Sequence, residues 1–107
     1  MQAIKEINVN ELKQQMDEAS GGFKLIDVRT PAEVMRGKIQ GCEHIPLHVI
    51  PLKYQDFDAH TQLIIYCRTG ARSAQACAFM QSKGMDNVFN LRGGIVSWAQ
   101  MGFPIVT

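Results

Sequence analysis

The chain has 107 residues, 46% hydrophobic and 20% charged, with 11 Lys and Arg against 10 Asp and Glu for a net charge of +1. That length and composition describe one domain over residues 1–107, large enough to bury about two-thirds of its surface, and exclude a disordered chain. The even charge balance excludes a general nucleic-acid binder, whose footprint is strongly basic. The longest uncharged stretch, Gly93 to Thr107, is shorter than the ~18 apolar residues of a spanning helix, and Gly, Ser, Gln and Pro interrupt it. No basic segment leads into an apolar run at the N-terminus, so neither a secretory signal nor a membrane partner is expected. Cys42, Cys67 and Cys77 are an odd number without metal-type pairing, which points to free thiols in a reducing, cytoplasmic setting.

Asn8 is a good N-cap, Glu11 completes a capping box, and Ile7 and Leu12 are spaced for a hydrophobic staple. The helix they start is predicted to reach about Ala19 and to end at Gly21-Gly22. Residues 23–28 form a short apolar run, read as a buried strand. Thr30 then caps a short helix with Pro31 at its first position and Glu33 closing the box, and Gly37 stops it. Residues 39–58, broken by Pro46 and Pro51, read as irregular. The densest strand signal is 63–66, followed by a tight loop over 67–72 and a helix over 73–83 with Ala76, Phe79 and Met80 on one face. A strand over 88–91, a Gly93-Gly94 turn and a helix over 95–100, stopped by Gly102 and Pro104, complete the chain. Strands alternating with helices predict an α/β fold with a largely parallel sheet.

The order strand, cysteine, loop, helix carries the chemistry. It sets Cys67 at the carboxyl end of a strand, where open α/β sheets place ligands, and against the free amides of a helix N-terminus. A loop curled round the sulfur adds inward N–H groups, and Arg68 and Arg72 add full charges. Together these lower the thiol pKa and make Cys67 a nucleophile. The alternative is a small buried hydrophobe, but two arginines and a glycine are poor core material. Asp27 reads either as an acid orienting the loop or as a structural hydrogen-bonding residue tying strand to helix. Arg29 reads either as an anion holder across the cleft or as a surface partner of Glu33. Cys77 reads as packing, and Cys42 as packing or a resolving thiol. His44 and His48 have metal-pair spacing, but Pro46 breaks the helix such a pair needs, so no metal is expected. Trp98 reads as a core anchor, and Met80 and Met101 as gap fillers.

Five ordered pieces carry a resemblance. They are Leu25-Ile26-Asp27-Val28-Arg29-Thr30-Pro31-Ala32-Glu33, Gly37-Lys38-Ile39-Gln40-Gly41, His44-Ile45-Pro46-Leu47, Cys67-Arg68-Thr69-Gly70-Ala71-Arg72-Ser73 and Leu91-Arg92-Gly93-Gly94-Ile95-Val96-Ser97-Trp98. The chain thereby resembles a single-domain rhodanese, the thiosulfate sulfurtransferase family. The resemblance implies a five-stranded parallel sheet with helices on both faces and no cofactor. It implies that Cys67 takes the outer sulfur of a thiosulfate-like anion as a persulfide, within a substrate-binding loop of Arg68, Thr69, Gly70, Ala71, Arg72 and Ser73. The acceptor it implies is a thiol, with a small sulfur-carrier protein or thioredoxin as candidates, or cyanide in vitro. A persulfide relay or interaction module acting with a protein partner is the alternative. Phosphatase or arsenate-reductase chemistry is a minor one, because only four residues separate Cys67 from Arg72 where related phosphatases have five. Lys38 replaces the family's frequent His and Cys42 its usual Ala, and Thr69 leaves the donor open.

Overall fold

The computed structural model describes residues 3–18 and 22–107. Five strands are present: β1 (Glu6–Ile7), β2 (Phe23–Asp27), β3 (Glu43–His44), β4 (Gln62–Tyr66) and β5 (Val88–Leu91), and apolar stretches supply the three longer ones. They form one sheet in the order β1-β5-β4-β2-β3, and every strand pair is parallel. The helices are α1 (Val9–Glu18), α2 (Pro31–Met35), α3 (Ile50–Lys53), α4 (Ala71–Ser82) and α5 (Gly94–Gln100).

Side chains alternate across the central strands. Leu25, Ile64 and Tyr66 pack with Leu12 of α1 and Trp98 of α5. Ile26, Leu63 and Ile65 pack on the other face with Ile50 of α3 and Ala76, Cys77 and Met80 of α4. Both faces of the parallel sheet are therefore covered, which is why β4 reads as an unbroken apolar run.

The local signals act as expected at two helix starts. Asn8 Oδ1 accepts from Glu11 N at 2.8 Å and Asn8 N donates to Glu11 Oε1 at 3.0 Å. Thr30 Oγ1 accepts from Glu33 N at 3.3 Å and Thr30 N donates to Glu33 Oε1 at 3.1 Å. The predicted end of α1 at Ala19 and Gly21 lies outside the described residues.

Three expectations are corrected. Residues 39–58 hold β3, α3 and two 3-10 turns, Leu47–Val49 and Tyr54–Asp56. Two-residue strands show no period, and Pro51 sits in the first turn of α3, where a missing N–H costs nothing. α4 starts at Ala71, two residues before the expected 73, with Gly70 as its N-cap at φ +112°, a left-handed conformation that glycine adopts without strain. Met101 is half-exposed and fills no gap, whereas Met80 is fully buried. Trp98 is buried as expected, and its Nε1 donates to Pro104 O at 2.8 Å.

Candidate active site

β4 lies at the centre of the sheet and ends at Tyr66, so Cys67 stands at the sheet's carboxyl edge. The chain there is pinned from below by α5. Ile95 N and Val96 N donate to the Cys67 and Arg68 carbonyls at 3.0 and 3.1 Å. A Cβ on Gly94 would lie 2.5 Å from both of those oxygens, so only glycine lets α5 approach this closely.

Gly70 turns the chain back over the sulfur. Cys67 Sγ accepts from Gly70 N at 3.1 Å, Ser73 N at 3.4 Å and Ser73 Oγ at 3.3 Å. The residue is only 1% exposed. Desolvation pushes its thiol up, but the Ser73 hydroxyl and the amides of Ser73, Gly70 and Thr69 push it down and prevail, so the thiol sits below its ordinary value. The loop hydrogen bonds expected from the sequence supply the largest downward pushes, and of the two arginines Arg72 also feels the Cys67 charge.

Arg72, expected to face a donor anion, is engaged by Glu33 instead. Its Nη1 meets Oε1 at 2.7 Å and its Nη2 meets Oε2 at 2.8 Å, joining α4 to α2. That bidentate bond, aided by Thr30, outweighs desolvation and holds the Glu33 carboxyl down at about 2. Arg68 is exposed and pairs with no carboxylate among the described residues. Thr69 and Ala71 are exposed beside it.

Arg29 is buried rather than at the surface, and it meets Glu33 only through the backbone, Nη1 donating to Glu33 O at 3.4 Å. It is 5% exposed and bonds Asp27 through Nε at 3.0 Å and Nη2 at 2.7 Å, while Nη2 also reaches Gly37 O at 2.7 Å. A buried guanidinium needs a partner, and a fully buried carboxylate stands two residues away. Asp27 also accepts from Arg29 N at 2.9 Å, so this pair ties β2 to the segment entering α2.

The other thiols sit in different surroundings. Burial, with a smaller push from Glu6, raises Cys77 to about 12. Burial also raises Cys42, which packs against the α1–α5 side of the core. His44 Nε2 lies 2.7 Å from Arg29 O, and His48 is exposed on its turn. Among the described residues, no three His, Cys, Asp or Glu gather as a metal site.

Two residues escaped the sequence reading. Glu33 reads as a helix cap and as a surface partner of Arg29, not as the partner of Arg72. Asn90, 3% exposed on β5, bonds both Ser73 and Gly70. Its one signal was a polar residue between apolar strand neighbours.

Residues 8–101 match the family model described as Rhodanese-like domain. A protein named Sulfurtransferase from Allochromatium vinosum is 42% identical over 103 residues, covering 96% of this chain and 95% of its own. The crystal structure of a rhodanese-like domain protein from Staphylococcus aureus aligns with a TM-score of 0.84 at 31% identity, over 97% of this chain and 100% of that one. A rhodanese-related protein from Thermoplasma volcanium aligns with a TM-score of 0.84 at 29% identity, over 95% and 97%. With this coverage the chain belongs to the Rhodanese-like domain family, and its sulfurtransferase relative supports a role in sulfur transfer.

Proposed function

We propose that this protein is a sulfurtransferase that carries sulfane sulfur as a persulfide on Cys67. The observation that carries the reading is the convergence of three hydrogen-bond donors on one sulfur at the sheet's carboxyl edge. A thiol held below its ordinary pKa is both nucleophile and leaving group, and a two-step transfer needs both. Arg68, exposed and without a carboxylate partner among the described residues, is the positive charge that a thiosulfate-like dianion meets first. Thr69, Gly70 and Ala71 shape the mouth of the loop, Ser73 steadies the sulfur, and Arg72 acts by holding the loop to α2. A cavity of about 320 Å³ borders the loop at Arg68 and is lined also by Arg29, Arg36, Ile95 and Val96, offering an anion positive charge next to the loop, although Cys67 itself does not line it.

In the first step the Cys67 thiolate bonds the donor's outer sulfur, and sulfite departs with the electron pair of the broken S–S bond. In the second an acceptor thiolate bonds that sulfur, and Cys67 leaves as thiolate. The acceptor is a thiol, on a small sulfur-carrier protein or thioredoxin, with cyanide serving in vitro. Phosphoryl transfer fits less well. The sulfur is 1% exposed, which suits one added atom better than a tetrahedral group, and Glu33 already occupies the arginine that would clamp a phosphate. Three free thiols suit a reducing, cytoplasmic compartment, and among the described residues no helix is long and apolar enough to cross a membrane.

Intact mass spectrometry after incubation with thiosulfate tests the reading. The expected result is a gain of one sulfur on Cys67 that cyanide or a thiol removes. A reduced protein that gains nothing would overturn it for this donor class.

A further inference from the structure

Ser73 has one hydroxyl hydrogen and two acceptors for it. Its Oγ lies 3.3 Å from Cys67 Sγ and within hydrogen-bond distance of Asn90 Oδ1. The far end of the Asn90 amide fixes which atom faces Ser73. Nδ2 donates to Gly70 O at 3.2 Å and to Glu6 Oε2 at 3.3 Å. Turning the amide over would set Oδ1 against those two acceptors and lose both bonds. Oδ1 therefore faces Ser73, and it can only accept.

The hydrogen then follows the charge on the sulfur. Beside a thiolate the Ser73 hydroxyl donates to Sγ, and Oδ1 gives up its donor. Beside a neutral sulfur the hydroxyl donates to Oδ1. We infer that Ser73 and Asn90 form a hydrogen-bond switch that tracks the charge of Cys67 Sγ, with Asn90 a positioning residue that acts through Ser73. The inference rests on the persulfide reading and adds how its two steps are balanced. When Sγ uses its electron pair to bond the incoming sulfur, sulfite takes the pair of the broken bond and the negative charge moves to the outer sulfur of the persulfide. Sγ is then neutral, and the hydroxyl swings to Asn90. When the acceptor thiolate bonds the outer sulfur, the pair of the broken bond returns to Sγ and the hydroxyl returns with it. Asn90 thus competes with the thiolate for one hydrogen, which keeps the nucleophile from being over-stabilised and slow.

Neighbouring charges are largely spoken for. Arg72 of α4 pairs with Glu33 of α2, Asp27 of β2 with Arg29, and Glu6 of β1 with Arg92. Arg68 of the loop is exposed, and Cys77 of α4 holds its proton to about 12.

The test is iodoacetamide reactivity against pH in a protein with Cys42 and Cys77 replaced by serine, so that one thiol is read. Asn90→Leu, which removes the competing acceptor, is expected to lower the midpoint. Asn90→Asp, a stronger acceptor, is expected to raise it. Each shift should be about half a unit to one unit, the worth of one hydrogen bond. The Asn90→Leu shift should shrink by more than half in a Ser73→Ala background, whereas the carboxylate of Asn90→Asp also raises the midpoint by its charge alone. Melting curves establish that each variant is folded, and Asn90→Ala replaces the leucine variant if that one is not. Midpoints that move the same way in both variants, or an Asn90→Leu shift of full size without the Ser73 hydroxyl, would overturn the switch. Alkylation needs no sulfur donor, so failure of the wild-type protein to load sulfur would sink the persulfide reading separately.

Discussion

Cys67 and Cys77 are the same residue type, both buried in one apolar cluster, yet their protons behave oppositely. Around Cys67 the loop supplies donors that outweigh desolvation. Around Cys77 the helix spends its amides on its own backbone, and burial acts unopposed. Cys67→Ser is therefore expected to abolish persulfide loading, while Cys42→Ser and Cys77→Ser keep most of it, as read by intact mass after thiosulfate. Loss of loading in a folded Cys77→Ser protein would place the sulfur elsewhere. The alkylation midpoint of Cys67 should fall below the ~8.5 of a free thiol. At this scale the sequence told much: the strand-end cysteine and the glycine turn are adjacent in the chain. It did not give the partners of Arg72 and Arg29, because which carboxylate captures a guanidinium depends on distances between elements. Glu33, 39 residues from Arg72, took the arginine assigned to the donor.

α2 shows how a short element survives without a core of its own. It has five residues and none is buried. Glu33 serves it twice, closing the capping box on Thr30 and holding Arg72. The cap was readable because it is local; the link to α4 was not. β1 and β3 were missed for a related reason, since two residues carry no period and parallel partners supply their pairing. Thr30→Ala should destabilise the protein by about 1 kcal/mol through the lost cap. Arg72→Ala should cost about 1 kcal/mol, because a pair about a third exposed is partly screened, and should lower Tm by roughly 4–8 °C. It should also slow sulfur loading, since the Ser73 amide rides on the segment that Arg72 anchors. The folded Glu33 carboxyl titrates at about 2, below its unfolded value of 4.5. The pair's stabilisation is thus complete above about 4.5 and disappears as pH falls through about 2. The Tm gap between wild type and Arg72→Ala should close over that range. An acid-independent gap would mean that Arg72 stabilises through packing.

At the scale of the whole molecule, the accessible surface of 6083 Å² is close to the ~6,000 Å² that scaling gives for this mass. A sheet covered on both faces buries groups that titrate above neutrality, and these weaken the fold as pH rises through the alkaline range. Burial raises Cys42, Cys77 and Tyr66, so the folded chain keeps protons that the unfolded chain releases. Cys67 goes the other way: its contribution is complete above the unfolded thiol value and cannot offset a decline there. Cys77 is one case, at about 12 folded against 9.0 unfolded. Between those values the unfolded state binds fewer protons, so stability must fall as pH rises, by up to about 1.4 kcal/mol per unit for each such group. Cys77→Ala removes one of these groups and leaves a small void under α4. It should therefore be less stable than wild type at pH 7, with the deficit narrowing from about pH 9 upward. Denaturant unfolding at pH 7, 9 and 10 reads this directly. A deficit that stays constant over those pH values would mean that the thiol ionises within the fold as easily as it does in water, and that the layer between α4 and the sheet is open to solvent.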